Sequence, residues 1–101
     1  MKPLVSIIIP VYNRLVEFER ALQSAIKQDY ENIEIIVVDD GSTEDIKSVV
    51  DNYLAKSPFP IKYIRQDNMG VGGARKSGVN ISRGEFIQHL DADDELLYNK
   101  I

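Results

Sequence analysis

The sequence has no cysteine, a single histidine and only twelve basic residues against sixteen acidic ones. Without thiols there is no disulfide framework and no thiolate metal site, a composition that fits a reducing compartment. Nothing in the chain suggests a serine or cysteine nucleophile paired with a base. The net charge is −4 and the pI about 4.9, and the lysines and arginines are scattered, so the electrostatic footprint of a nucleic-acid-binding protein is missing. Long apolar runs are missing too. The opening "LVSIIIPVY" is too short to span a bilayer and carries no small-residue cleavage pattern, so it reads as a strand and the chain is expected in the cytoplasm. There is no internal repeat, no low-complexity stretch and no linker.

What is present is the composition of one compact domain: 101 residues, 44% hydrophobic and 28% charged. Leu4 to Pro10 is a continuous β-branched run closed by proline, the pattern of a strand buried on both faces. Phe18, Leu22, Ala25 and Ile26 then recur at helical spacing between charged residues. A second buried strand runs from Ile33 to Val38 and ends at Asp39 and Asp40. After the turn at Gly41 and Ser42, Thr43 is the expected N-cap of a helix with Glu44 and Asp45 in its first turn and an apolar stripe of Ile46, Val49, Val50, Tyr53 and Leu54. "SPFP" breaks that helix. Ile61 to Gln66 makes an alternating third strand nearer an edge, Val71, Ala74, Gly78 and Ile81 carry a weak helical period, and Glu85 to Leu90 forms a fourth strand.

Strands alternating with helices imply right-handed crossovers and a mostly parallel sheet in three α/β/α layers, a Rossmann-like architecture. In such sheets ligands bind beyond the carboxyl ends of the strands, at the topological switch point. The polar clusters fall there: "YNR" after the first strand, "DDGS" after the second, "DNMG" after the third and "DADD" after the fourth. Asp91 and Asp93, one small residue apart, can turn two carboxylates toward one hard cation, which takes oxygen ligands. The competing explanation is an acidic helix start, but one cap needs one carboxylate, and a third beside them, Asp94, adds repulsion that an ion or cation relieves. Asp39 and Asp40 suit either a base or ribose contact or an Asx turn. "NMGVGGARKSG" is neither a dinucleotide fingerprint, which would follow the first strand, nor a Walker loop; it offers a helix N-terminus with Arg75 one turn in, suited to phosphate or merely solvated. His89 reads as a packed or partly exposed imidazole, not a ligand.

Taken in order and spacing, "VSIIIPVYNR", "EIIVVDDGST", "NMGVGGARKSGVNISRGEFI" and "LDADD" resemble the family 2 glycosyltransferases of the GT-A fold over nearly the whole chain. The resemblance implies transfer of a sugar from a nucleotide-diphosphate sugar, a UDP-sugar, to an acceptor hydroxyl with inversion, assisted by Mn2+ or Mg2+, in cell-surface polysaccharide or glycan synthesis. By position it implies that Pro10, Val11 and Tyr12 line the nucleoside pocket and that Asp40, with Asp39 second, contacts the base. Gly70 would be the family's tight turn, Arg75 its basic residue near the diphosphate, Ala92 part of the donor site, and Asp91, Asp93 and Asp94 the metal-binding carboxylates. Lys76 departs from the asparagine that many members carry there.

Members of that family continue well past the last acidic motif, into the acceptor site and the general base. The resemblance therefore implies a donor-binding half over residues 1–101 that is inactive alone, with the base and the contacts to a glycan or lipid-linked acceptor beyond residue 101. It also implies surface available for self-association, and a cytoplasmic or membrane-peripheral full-length enzyme. Three rival readings follow from the same residues. A metal-dependent nucleotidyltransferase would want a basic, glycine-rich loop after the first strand, and a receiver-type phospho-acceptor would want its acidic pair there. A non-catalytic nucleotide-binding module would bind nucleotide without transfer.

Overall fold

The structure, a computed structural model, describes residues 2–92. Among the described residues four strands and three helices alternate: β1 Val5–Val11, α1 Leu15–Ile26, β2 Ile33–Asp39, α2 Ile46–Leu54, β3 Ile61–Arg65, α3 Gly70–Ile81 and β4 Phe86–His89. All three strand pairings are parallel, and the order across the sheet is β3-β2-β1-β4. The chain steps outward from β1 to β2 to β3, then returns past both to lay β4 on the other side of β1. With right-handed crossovers, that reversal sends α3 to the face opposite α1 and α2.

The cores obey this geometry. Ile7, Ile9, Val11, Ile35 and Val37 pack with Phe18, Leu22, Ala25, Ile46 and Val50 beneath α1 and α2. Ile8, Ile36 and Val38, pointing the other way, pack with Ala74 of α3. Every residue of β1 and β2 is buried, which explains why both read as unbroken apolar runs and not as alternating strands. Helix α3 lies close to the sheet because Gly78 has no side chain: a Cβ there would stand 2.5 Å from Ile8 Cγ2.

Several boundaries differ from the sequence expectation. Strand β1 does not close at Pro10 but continues through it to Val11, since Asp40 N donates to Val11 O. The odd residues of β1 bond toward β2 and the even ones toward β4, where pairing ends at Ile8 opposite His89. The donor that Pro10 lacks thus falls beyond the last paired residue, where no ladder bond is lost. Strand β2 runs one residue further than expected, to Asp39, while β3 ends at Arg65 and β4 occupies only Phe86–His89. The N-cap of α2 is Asp45, which accepts from Ser48 N at 3.2 Å, and not Thr43; Glu44 and Asp45 therefore precede the helix. Thr43 is occupied elsewhere, both its N–H and its hydroxyl donating to Asn13 Oδ1. His89 is exposed on the edge strand, where Phe86 and Ile87 are exposed as well.

Candidate functional site

The carboxyl ends of β1, β2 and β4 lie side by side, and the loops leaving them meet the first turns of α3. Between them is an open cavity of about 280 Å³. Pro10, Val11 and Tyr12 form one wall, Val71 and Ala74 of α3 another, and Asp91 with Ala92 the end beyond β4. Asp40 and Arg14 complete the lining. The ring of Tyr12 is half exposed at the mouth, so an apolar, stackable surface stands next to charged groups.

The two adjacent aspartates after β2 part company. Asp39 continues the row of Ile33, Ile35 and Val37, so its carboxylate points to the α1/α2 side and does not line the cavity. There it is buried: Oδ2 accepts from Tyr63 Oη at 2.6 Å and Arg65 Nη1 at 3.1 Å, and Oδ1 from Ser42 N at 3.0 Å. Burial, together with the hydrogen bond to Asp39 and its charge, pushes the Tyr63 hydroxyl up to about 12. Asp40 points to the α3 side and does line the cavity. Its Oδ1 accepts from Met69 N (2.8 Å) and Gln66 Nε2 (3.0 Å), and its Oδ2 from Gly70 N (3.0 Å). Asp40 thus holds the start of α3 against the end of β2. Oδ2, with one donor, retains an acceptor position for a ligand N–H or O–H. Gly70 contributes by backbone alone, its φ of 81° being open to glycine at little cost and its N–H aimed at Asp40.

At the other end Arg75, one turn into α3, donates from Nη2 to Asp91 Oδ1 at 2.7 Å. Both side chains are more than a third exposed, so this pair fixes orientation more than it stabilises the fold. Arg75 Nε is buried without a partner among the described residues, a donor left over next to the cavity. The other oxygen of Asp91 accepts nothing from the described residues. A half-exposed carboxylate with a free oxygen is the donor chemistry that a hard divalent cation takes, so Asp91 fits as one of its ligands. No three acidic or imidazole groups converge among the described residues. Asp93 and Asp94 lie outside the described residues.

The structure therefore brings Pro10, Val11, Tyr12, Asp40, Asp91 and Ala92 together around one cavity, with Arg75 and Gly70 attached to it through Asp91 and Asp40. Sequence reasoning missed Arg14, Val71 and Ala74. The last two were legible only as a weak helical stripe. Arg14 stood in a polar cluster after β1, with nothing in the sequence to say where it pointed. Its backbone supplies the answer: Asn13 and Arg14 both adopt φ of 56°, the left-handed region that costs a non-glycine residue about 1–2 kcal/mol. The strain is held by the loop after β2. Asn13 Oδ1 accepts from Thr43 N (2.8 Å) and Glu44 N (3.0 Å), Asn13 N donates to Ser42 Oγ (2.8 Å), and Leu15 N donates to Glu44 Oε2 (3.1 Å).

Known structures share this fold. A mannosyltransferase, PcManGT from Pyrobaculum calidifontis, in complex with GDP-Man and Mn2+, superposes with a TM-score of 0.86 at 26% identity, over 94% of this chain and 29% of that one. TarS residues 1–349 from S. aureus, in complex with UDP-GlcNAc, gives 0.84 at 31% identity over 94% and 28%. Among curated proteins, the GalNAc(5)-diNAcBac-PP-undecaprenol beta-1,3-glucosyltransferase of Campylobacter jejuni is 45% identical over 94% of this chain and 31% of its own length. Chondroitin synthase of Escherichia coli is 39% identical over 93% and 14%. The chain thus spans a third or less of the length of these relatives. The sequence pattern of glycosyl transferase family 2 matches residues 6–101, and with the fold and these relatives it establishes that the chain belongs to that family.

Proposed function

We propose that residues 1–101 are the donor-binding part of an inverting, metal-dependent glycosyltransferase that uses a UDP-sugar. The sugar would pass to a hydroxyl of a glycan or lipid-linked acceptor in cell-surface polysaccharide or glycan synthesis. The observation that carries this reading is the cavity itself: an aromatic and apolar wall, an acceptor on Asp40 and the free oxygen of Asp91 converge at the switch point of the sheet. The nucleotide-sugar complexes of PcManGT and TarS support the donor class, and the acceptor named for the Campylobacter enzyme supports a lipid-linked acceptor. A cytoplasmic or membrane-peripheral location of the full-length enzyme belongs to the same proposal; no helix among the described residues is long and apolar enough to cross a membrane.

On this reading Tyr12 stacks on the nucleobase while Pro10 and Val11 exclude water from one of its edges. Asp40 accepts the N–H of the base through Oδ2, and Asp39 acts only by shaping the turn between β2 and α2. Asp91, with Asp93 and Asp94, would hold Mn2+ or Mg2+, and Arg75 keeps Asp91 turned toward the cavity. The cation, when bound, supplies positive charge against the diphosphate leaving group. Arg75 adds a guanidinium beside the same group, where it favours charge that develops as the sugar departs. The acceptor hydroxyl attacks the anomeric carbon opposite the leaving diphosphate and loses its proton to a base outside the residues assigned here.

Calorimetric titration of UDP into the chain, with and without Mn2+ and repeated with Asp91→Asn, tests the proposal. The expected result is manganese-dependent binding, weakened roughly tenfold or more by the substitution. Binding indifferent to both would reject the metal role, and no UDP binding by a folded chain would reject the donor site. Self-association through the exposed Phe86 and Ile87 belongs to the same proposal. A single monomeric species at all concentrations in sedimentation would end it.

A further inference from the structure

The charges around the cavity are unequally matched. Asp40 accepts three hydrogen bonds, and Asp91 is paired with Arg75. Arg14 also lines the cavity, yet its guanidinium makes no hydrogen bond or ion pair among the described residues. Glu17, in the first turn of α1, and Glu44, in the adjoining loop, are the nearest acids along these segments, and neither pairs with it; Glu44 is taken up by Leu15 N. Arg14 is thus a cation at the cavity wall whose donors are left over, whereas those of Arg75 are partly committed to Asp91.

Arg14 does not reach that position by default. A loop entering α1 in ordinary extended backbone would need no left-handed residue, whereas here two non-glycine residues in succession are left-handed. The carboxamide oxygen of Asn13 bolts them to the loop after β2 through three accepted bonds. These two residues make the turn from β1 into α1, and in that turn Arg14 lines the cavity. A guanidinium presents a fork of N–H donors matched to phosphoryl oxygens, and it is always charged.

Resting on the donor-site reading above, we infer that Arg14 is a second phosphate-binding residue of this site, contacting the diphosphate of the nucleotide directly and independently of the cation and Arg75. The nucleoside would be held by the apolar wall and Asp40, and its phosphates would lie between Arg14 on one side and the Arg75–Asp91 end on the other. Arg14 would then contribute affinity for UDP but none for uridine.

The test compares UDP and uridine binding to the wild-type chain, Arg14→Ala and Arg14→Gly at fixed Mn2+. Removing a charge-assisted bond to phosphate should weaken UDP roughly tenfold or more and leave uridine unchanged. The glycine variant separates binding from loop integrity, because glycine relieves the left-handed strain. It should lose UDP affinity as the alanine variant does while melting no lower than wild type. Equal UDP affinity in wild type and Arg14→Ala would overturn this inference and leave the donor site standing. Equal losses for UDP and uridine would also overturn it, by making Arg14 a nucleoside or loop residue. Failure of the wild-type chain to bind UDP would overturn both readings.

Discussion

Tyr63 shows how much of this site depends on residues that never touch the cavity. Its hydroxyl donates to the buried carboxylate of Asp39, and its pKa is pushed up to about 12 by burial and by that carboxylate. Because the folded state binds this proton more tightly than the unfolded chain, Tyr63 contributes stability that is complete below pH 10 and is lost as pH rises from about 10 to about 12. Tyr63→Phe should lower stability by about 1–2 kcal/mol at neutral pH, since Asp39 loses one of its three donors. It should also flatten that alkaline segment of a melting-temperature profile; a profile unchanged between pH 10 and 12 would reject the role. The same pair of aspartates marks what could be read from the sequence and what could not. Strand alternation alone assigns Asp39 to the row of Ile35 and Val37 and Asp40 to the row of Ile36 and Val38, so opposite faces were legible once β2 was placed. Which face lined the cavity was not, because that depends on where α3 crosses. Arg14 was illegible for a different reason: its left-handed backbone is imposed by hydrogen bonds from residues some thirty positions away, and no local propensity announces it.

The connection from α3 to β4 is fixed by a buried cluster at the other end of the sheet. Glu34 on β2, almost fully buried, accepts from Ser6 Oγ (2.6 Å) and Arg83 N (2.6 Å) and pairs with Lys62 Nζ (3.3 Å), while Gly84 N donates to Ser6 Oγ (2.9 Å). Burial pushes the Glu34 carboxyl up, but the bonds from Ser6, Arg83 and Lys62 together outweigh it and hold the pKa below its ordinary value. The folded state thus favours the ionised form, and the stability this contributes is present above the usual glutamate range and lost as pH falls through the depressed folded value. Glu34→Gln should remove that acid-side loss, giving a melting profile flatter than wild type as pH falls through and below the ordinary glutamate range, at the cost of lower stability at pH 7 where the charge-assisted bonds are gone. A mutant as acid-labile as wild type would show that another carboxylate controls the transition. At this scale the strands and helices were legible because uninterrupted β-branched runs and helical stripes have no other economical burial. Their ends were less so. The start of α2 moved from Thr43 to Asp45 because Thr43 is engaged by Asn13, a long-range contact that overrides its capping preference. Ser6 and Glu34, polar residues inside apparent apolar runs, gave no sign that they answer each other across the sheet.

Across the whole molecule, the cavity has no single owner. Its walls come from the ends of β1 and β4 and from the first turn of α3, with Asp40 on the loop after β2, so elements that fold onto both faces of the sheet must all be in place before it exists. A ligand bridging these walls binds the native state and not the unfolded chain, and it stabilises by mass action: about 2.7 kcal/mol at a hundredfold excess over Kd. For a domain near 100 residues that corresponds to a rise in Tm of roughly 10 °C or more. UDP with Mn2+ at that excess should therefore shift the melting curve as one cooperative transition, and Asp40→Ala should diminish the shift while also lowering the unliganded Tm. The second effect follows because Asp40 caps the start of α3 as well as facing the cavity. The two consequences separate in Asp40→Asn, whose single side-chain oxygen keeps one of the bonds from Met69 N and Gly70 N but which presents no charge. This variant should recover part of the lost Tm and little of the ligand shift. Full recovery of both would mean that Asp40 serves the site only by holding α3 in place.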